Sequence, residues 1–232
     1  MYKEHMYLLE SDKIYGFEKQ KIEDILYGRE DEATLKNAVK DLSEYLNRHF
    51  EKNVILLVDE YDVPIQTAYV EGYYEEAIKF LKTFYGTTFK DNSYLQKTVL
   101  TGVSRVAKES IFSGANNFKV YTILDNEFAD DFGITQEEMK KVIKDFNIEE
   151  KEEEIKKWYD GYKIGNVEGI YNPWSILNYL TRKEIMPYWV NTSSNDLIKM
   201  TIKNSITVKE KIEKLLRDEP IEETINLETI IV

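Results

Sequence analysis

The stretch Val54-Ile55-Leu56-Leu57-Val58-Asp59-Glu60-Tyr61-Asp62 constrains this chain more than any other: an unbroken apolar run that ends in two adjacent carboxylates. Five consecutive branched apolar residues suit a parallel strand buried on both faces. Acids at its carboxyl end then lie where α/β folds keep their ligands. In such a site the first carboxylate holds Mg²⁺, usually through water, and the second orients or deprotonates the water that attacks a terminal phosphate.

That arrangement reads like the Walker B element of a P-loop ATPase. Its companion is missing, because no G-x-x-x-x-G-K-[ST] occurs among the ten glycines. Composition narrows the alternatives. A length of 232 residues with 42% hydrophobic content supports one large domain or a core with an appendage. A formal charge of −12 argues against direct nucleic-acid binding by this chain, since that affinity comes from Lys and Arg neutralising phosphates. With no cysteine, and with His5 and His49 the two histidines, metal chemistry falls to carboxylates and Mg²⁺. No apolar stretch reaches the roughly 20 residues that span a bilayer, and the N-terminus lacks the build of a signal peptide. The expectation is a soluble, cytoplasmic protein without membrane contact.

Periodicity predicts helix over 17–50, with Leu35, Ala38, Val39, Leu42, Leu46 and Phe50 tracing one face. The Val54 strand follows, and Pro64 is expected to hold Glu60 to Ile65 in a loop. Tyr73 to Tyr85 reads as a crossover helix, Gln96 to Val103 as a second buried strand, and Phe118 to Leu124 as a third after the turn at Asn116 and Asn117. Thr135 with Glu138 forms a capping box for a helix to Phe146, and Ile148 to Tyr159 forms another. Asn172 and Pro173 open a helix through Tyr179. These elements predict an α/β layer followed by a separate small helical subdomain.

Four blocks, Leu57-Val58-Asp59-Glu60-Tyr61-Asp62-Val63-Pro64-Ile65, the segment from Thr101 to Gly114, Lys157-Trp158-Tyr159-Asp160-Gly161-Tyr162 and Tyr171-Asn172-Pro173-Trp174-Ser175, resemble the bacterial predicted AAA-ATPase-like family. Its members are ATPases of the signal-transduction and archaeal type, often fused to a nuclease-like domain of the PD-(D/E)XK kind. From around residue 40 to residue 215, the resemblance implies a partial P-loop NTPase parallel sheet with helices, then a helical lid and winged-helix-like region. It divides the chain into an ATPase core at 1–128, carrying the Walker B and sensor strands, and a lid region at 129–232. It also implies that the phosphate loop precedes Met1 and that the nuclease-like region follows Val232, which makes the chain an internal fragment.

In the fold so implied, the phosphate-loop strand lies between the Thr98 and Val120 strands. Its removal is expected to leave backbone groups unpaired and the isolated chain poorly stable.

The family also implies roles for residues. Asp59 holds Mg²⁺ through water, Glu60 activates the attacking water, Arg105 senses the γ-phosphate, and Thr101 or Ser104 contacts nucleotide as a polar sensor. The bland readings stand beside these: solvated acids at a strand end, a surface ion pair of Arg105 with Glu109, and Asp62 as a turn cap rather than metal support. Trp158, Tyr162, Tyr171 and Trp174 form either a subdomain core or an interaction surface. ATP and Mg²⁺ are the expected cofactors and require the missing phosphate loop, so this chain alone is expected to be inactive. The competing function is a non-catalytic regulatory or protein-interaction scaffold derived from an ATPase.

Overall fold

The computed structural model describes residues 1–90, 92–103, 112, 118–189, 205–217 and 219–221. Its contacts divide the chain into two compact units, residues 1–118 with 197–232 and residues 119–196.

In the first unit, a 3-10 segment over Tyr2–Glu10 leads into α1 (Gly16–Tyr27) and α2 (Glu32–Phe50). Helical periodicity over 17–50 is thus interrupted once. Gly28 closes α1 in the left-handed region at φ 66°, and Asp31 opens α2 by accepting the Thr34 N–H at 2.7 Å. Most of the predicted stripe packs inward, with Leu8, Ile22, Ala38, Leu42 and Tyr45 in one buried cluster with Tyr2 and Ile14, whereas Phe50 at its end is exposed.

β1 (Val54–Val58) follows, then α3 (Val63–Glu71), α4 (Tyr74–Phe89) and β2 (Leu95–Leu100). The two strands pair in parallel, with Leu56 opposite Thr98, Leu57 opposite Val99 and Val58 opposite Leu100. The predicted mixed α/β class is therefore present as a short two-stranded parallel sheet connected through helices. Two local expectations change. Pro64 does not keep the chain in a loop but sits in the first turn of α3, where its missing N–H is not needed. The Val54 strand is covered on one face rather than two. Leu56, Val58 and Leu100 pack against Ile65, Tyr85 and Phe89, whereas Ile55 and Leu57 are 57% and 72% exposed. A helix, Ile206–Leu216, completes the described part of this unit.

The second unit contains α5 (Gln136–Asp145), α6 (Glu152–Tyr159), β3 (Tyr162–Ile164), β4 (Val167–Ile170) and α7 (Pro173–Arg182). Its core is Met139, Ile143, Ile155, Tyr159, Ile176 and Tyr179 with their neighbours. The caps are those expected: the Glu138 N–H donates to Thr135 Oγ1, the Glu138 carboxylate accepts the Thr135 N–H at 2.9 Å, and Asn172 accepts the Ser175 N–H at 3.0 Å. The unit is not purely helical, since β3 and β4 form an antiparallel hairpin. The expected strand over Phe118–Leu124 is absent. Asp125 accepts both the N–H and the hydroxyl of Thr122, at 2.7 and 2.8 Å, and folds that segment into a turn. Phe118 packs against Phe89 and Phe112, but Val120 and Ile123 remain exposed, so the alternation does not continue into a buried face.

Candidate functional site

The parallel pairing brings the ends of β1 and β2 side by side, so residues 42 positions apart meet. The Thr101 N–H donates to Val58 O at 2.9 Å and the Tyr61 N–H to Thr101 O at 3.0 Å, which extends the ladder past both strands. On this frame the Thr101 hydroxyl donates to Asp59 Oδ1, and the same oxygen accepts the Glu60 N–H at 3.0 Å. Asp59 Oδ2 has no protein partner among the described residues and the side chain is exposed. Glu60 is also exposed, and its backbone lies in the left-handed region at φ 52°.

Asp62 takes a different place. It is completely buried and precedes α3, and its Oδ2 accepts the Gln66 amide N–H at 2.7 Å. Its backbone carbonyl accepts the N–H groups of Ile65 and Gln66 at 3.1 and 3.0 Å, so Asp62 anchors the first turn of the helix. Gly102 lies directly against it: a Cβ built there would stand 2.6 Å from Asp62 Oδ1 and 2.7 Å from the Tyr61 ring. The carboxylates after β1 thus separate into an exposed pair, Asp59 and Glu60, and a buried anchor. Tyr85 lies under this loop, and burial, aided by Tyr61 and Asp62, pushes its phenol pKa up.

Thr101 and Asp59, both predicted as site residues, are brought together, and Glu60 adjoins them. Ser104 and Arg105 lie outside the described residues, as do Asn116 and Asn117. Sequence reasoning missed the contribution of Gly102, whose signal is a glycine two residues past the end of β2. The site is built from oxygen donors, which suits Mg²⁺, a cation that keeps several waters and takes one or two carboxylates. Among the described residues, no group of three or more His, Cys, Asp or Glu gathers as a ready-made metal cage. A single exposed carboxylate fits a hydrated Mg²⁺ in that respect.

The sequence profile of the AAA-ATPase-like family, described as predicted AAA-ATPase, matches residues 3–112. This is the family that the motifs resemble. The matched segment includes β1, α3, α4, β2 and Thr101. An uncharacterized protein in the vnfD 5′ region of Azotobacter chroococcum mcd 1 is 30% identical over 144 residues, which cover 62% of this chain and 28% of that protein. The chain therefore spans less than a third of the length of that relative. No solved structure matches it.

In the second unit the four aromatic residues divide. Tyr171 is core at 5% exposure, whereas Trp158, Tyr162 and Trp174 are each 49% exposed. The core reading holds for Tyr171 alone. Among the described residues, no helix is long and apolar enough to cross a membrane.

Proposed function

We propose that this chain is the Walker B and sensor part of an ATP-hydrolysing module, with Asp59, Glu60 and Thr101 as the metal and water side of its site. The observation that carries the reading is the bond from Thr101 to Asp59 across the paired strand ends. Holding one carboxylate oxygen fixes the direction of the other, which is what a residue must do to position a hydrated ion. Mg²⁺, when bound, neutralises charge on the phosphates and on the leaving group. In this reading Asp59 holds that ion through water, Thr101 orients Asp59, and Glu60 accepts a proton from the attacking water. Arg105 and Ser104 serve as γ-phosphate and polar sensors. Residues 1–128 then act as the core and 129–232 as a lid with a winged-helix-like region. Lid movement would pass the nucleotide state to a C-terminal effector such as a nuclease-like domain.

The phosphate-gripping loop is absent from the 232 residues, and that observation favours a second reading, a regulatory scaffold without turnover. ATP turnover in a longer polypeptide carrying these residues separates the two. Glu60→Gln is expected to lower turnover by a factor of about 10² or more, the range of a lost general base. Equal turnover in both forms removes Glu60 from catalysis, and absence of turnover in either favours the scaffold.

A further inference from the structure

The second unit carries a cleft of about 330 Å³ that the ATPase reading does not use. Its floor is the junction between α6 and β3. Tyr159, the last residue of α6, is buried, and its hydroxyl donates to Met186 O and accepts the Met186 N–H, both at 3.0 Å. This ties the segment that follows α7 across the end of α6, and the residues just beyond, Tyr188 and Trp189, become one wall. Trp158 and Tyr162 line the cleft as well. Gly161, at φ 143°, makes the turn between α6 and β3 in a conformation that side chains disfavour.

Asp160 lines this cleft among the aromatic rings. Its Oδ1 is buried and has no hydrogen-bond partner among the described residues. A carboxylate oxygen in that state is costly unless a cation or donor compensates it. Among the described residues, no positive charge pairs with it. Lys163 is engaged with Glu168 at 2.7 Å, and the Arg182 guanidinium lies over the Tyr188 ring at 5.6 Å. The local field is negative: together with burial, Asp160, Glu152 and Glu153 push the Tyr171 phenol pKa up. Trp158, Tyr162 and Trp189 keep 49%, 49% and 54% of their surface open.

Exposed aromatic faces around an under-compensated carboxylate are the recognition chemistry of an organic cation. We propose that this cleft binds a guanidinium group, as carried by an arginine side chain. The planar guanidinium stacks on aromatic faces, is weakly hydrated, and donates charge-assisted hydrogen bonds to a carboxylate. Anionic ligands are disfavoured by Asp160, and a neutral sugar leaves its charge uncompensated.

All three tryptophans of the chain lie between residues 158 and 189, and two of them line the cleft, so tryptophan emission reports binding directly. The full chain is titrated with N-acetyl-arginine amide and, separately, with the uncharged isostere N-acetyl-citrulline amide and with methyl glucoside. The expected result is a saturable emission change with the arginine probe and binding of the citrulline probe weaker by about tenfold or more, the loss of one charge-assisted interaction. Asp160→Asn is expected to weaken the arginine probe by a similar factor. Equal affinity for arginine and citrulline overturns the proposal, as does saturable binding of methyl glucoside alone. No saturable change with the arginine probe, at concentrations that leave the far-ultraviolet spectrum intact, also overturns it. The arginine–citrulline comparison needs no variant and stands if Asp160→Asn fails to fold.

Discussion

Thr101 donates its hydroxyl to Asp59 Oδ1 from the neighbouring strand end, while its own N–H is held by Val58 O. The two bonds separate position from chemistry. Thr101→Val keeps the backbone bond and loses the hydroxyl, so stability is expected to fall by only about 1 kcal/mol, the net worth of one hydrogen bond. Thr101→Ser is expected to be closer to the parent protein. Urea unfolding of the three forms checks this, and a loss well beyond that of one hydrogen bond in Thr101→Val would give the hydroxyl a larger structural role.

Gly102 offers a sharper steric test. A methyl group there meets Asp62 Oδ1 and the Tyr61 ring at distances that real Cβ atoms do not show. Both neighbours belong to the loop after β1, and Asp62 is fully buried. Gly102→Ala is expected to cost about 1–3 kcal/mol, as overpacking does, and to lower the thermal midpoint.

How much of this was legible beforehand follows from where the determinants lie. Val54–Val58, the Thr135–Glu138 box and the Asn172–Pro173 start are local patterns, and each appears where the sequence predicts it. The hairpin of Tyr162–Ile170 was missed because its strands are three and four residues long. Its signal was present in Gly165-Asn166, a two-residue turn pair between short apolar-alternating runs. Exposure of Ile55 and Leu57 was not legible, because an apolar run does not reveal which face its neighbours cover. At the candidate site, Asp59 and Glu60 were readable from adjacency. Their meeting with Thr101 required the register, which no local pattern supplies.

Glu18 and Arg48 give a third test. Glu18 is 6% exposed, takes the Tyr15 N–H at 2.9 Å and pairs with Arg48 at 2.5 Å. Removing the cation strands a buried carboxylate, so Arg48→Met is expected to cost about 3 kcal/mol. The double variant Arg48→Met with Glu18→Gln, which removes the charge as well, is expected to recover part of that loss. A double-mutant cycle by chemical denaturation measures the coupling.

Alkaline stability should report the first core. Burial raises the Tyr2 and Tyr45 phenols well above the ordinary value of 10.0, with negative charge at Asp41 adding to both. A raised pKa means that the folded state holds protons that the unfolded state releases. The contribution is fully present below about pH 10, the unfolded value, and declines as pH rises beyond it. Tyr2→Phe and Tyr45→Phe are each expected to flatten the fall in stability above that pH.

Acid should act on the second core in the opposite sense. The Thr135 N–H, with the Thr135 hydroxyl, holds the Glu138 carboxyl below its ordinary 4.5. A lowered pKa gives stability that is present above about that pH and lost as protonation proceeds through the folded value. Carboxyl titration by nuclear magnetic resonance is expected to find Glu138 below the exposed glutamates. Thr135→Ala, which keeps the N–H and removes the hydroxyl, should raise it only part of the way toward their range.

Glu60 sits at φ 52°, as do few side-chain-bearing residues outside helix ends. Glu51 and Lys183 share that conformation, but each closes a helix, where it satisfies carbonyl groups. Glu60 follows a strand instead, at a point where glycine or asparagine adopts the same backbone with less strain. Glu60→Gly is therefore the substitution that a search for thermal robustness alone would favour here, and it would discard the carboxylate next to Asp59. Engineering for durability and preservation of this acidic pair pull on the same residue in opposite directions.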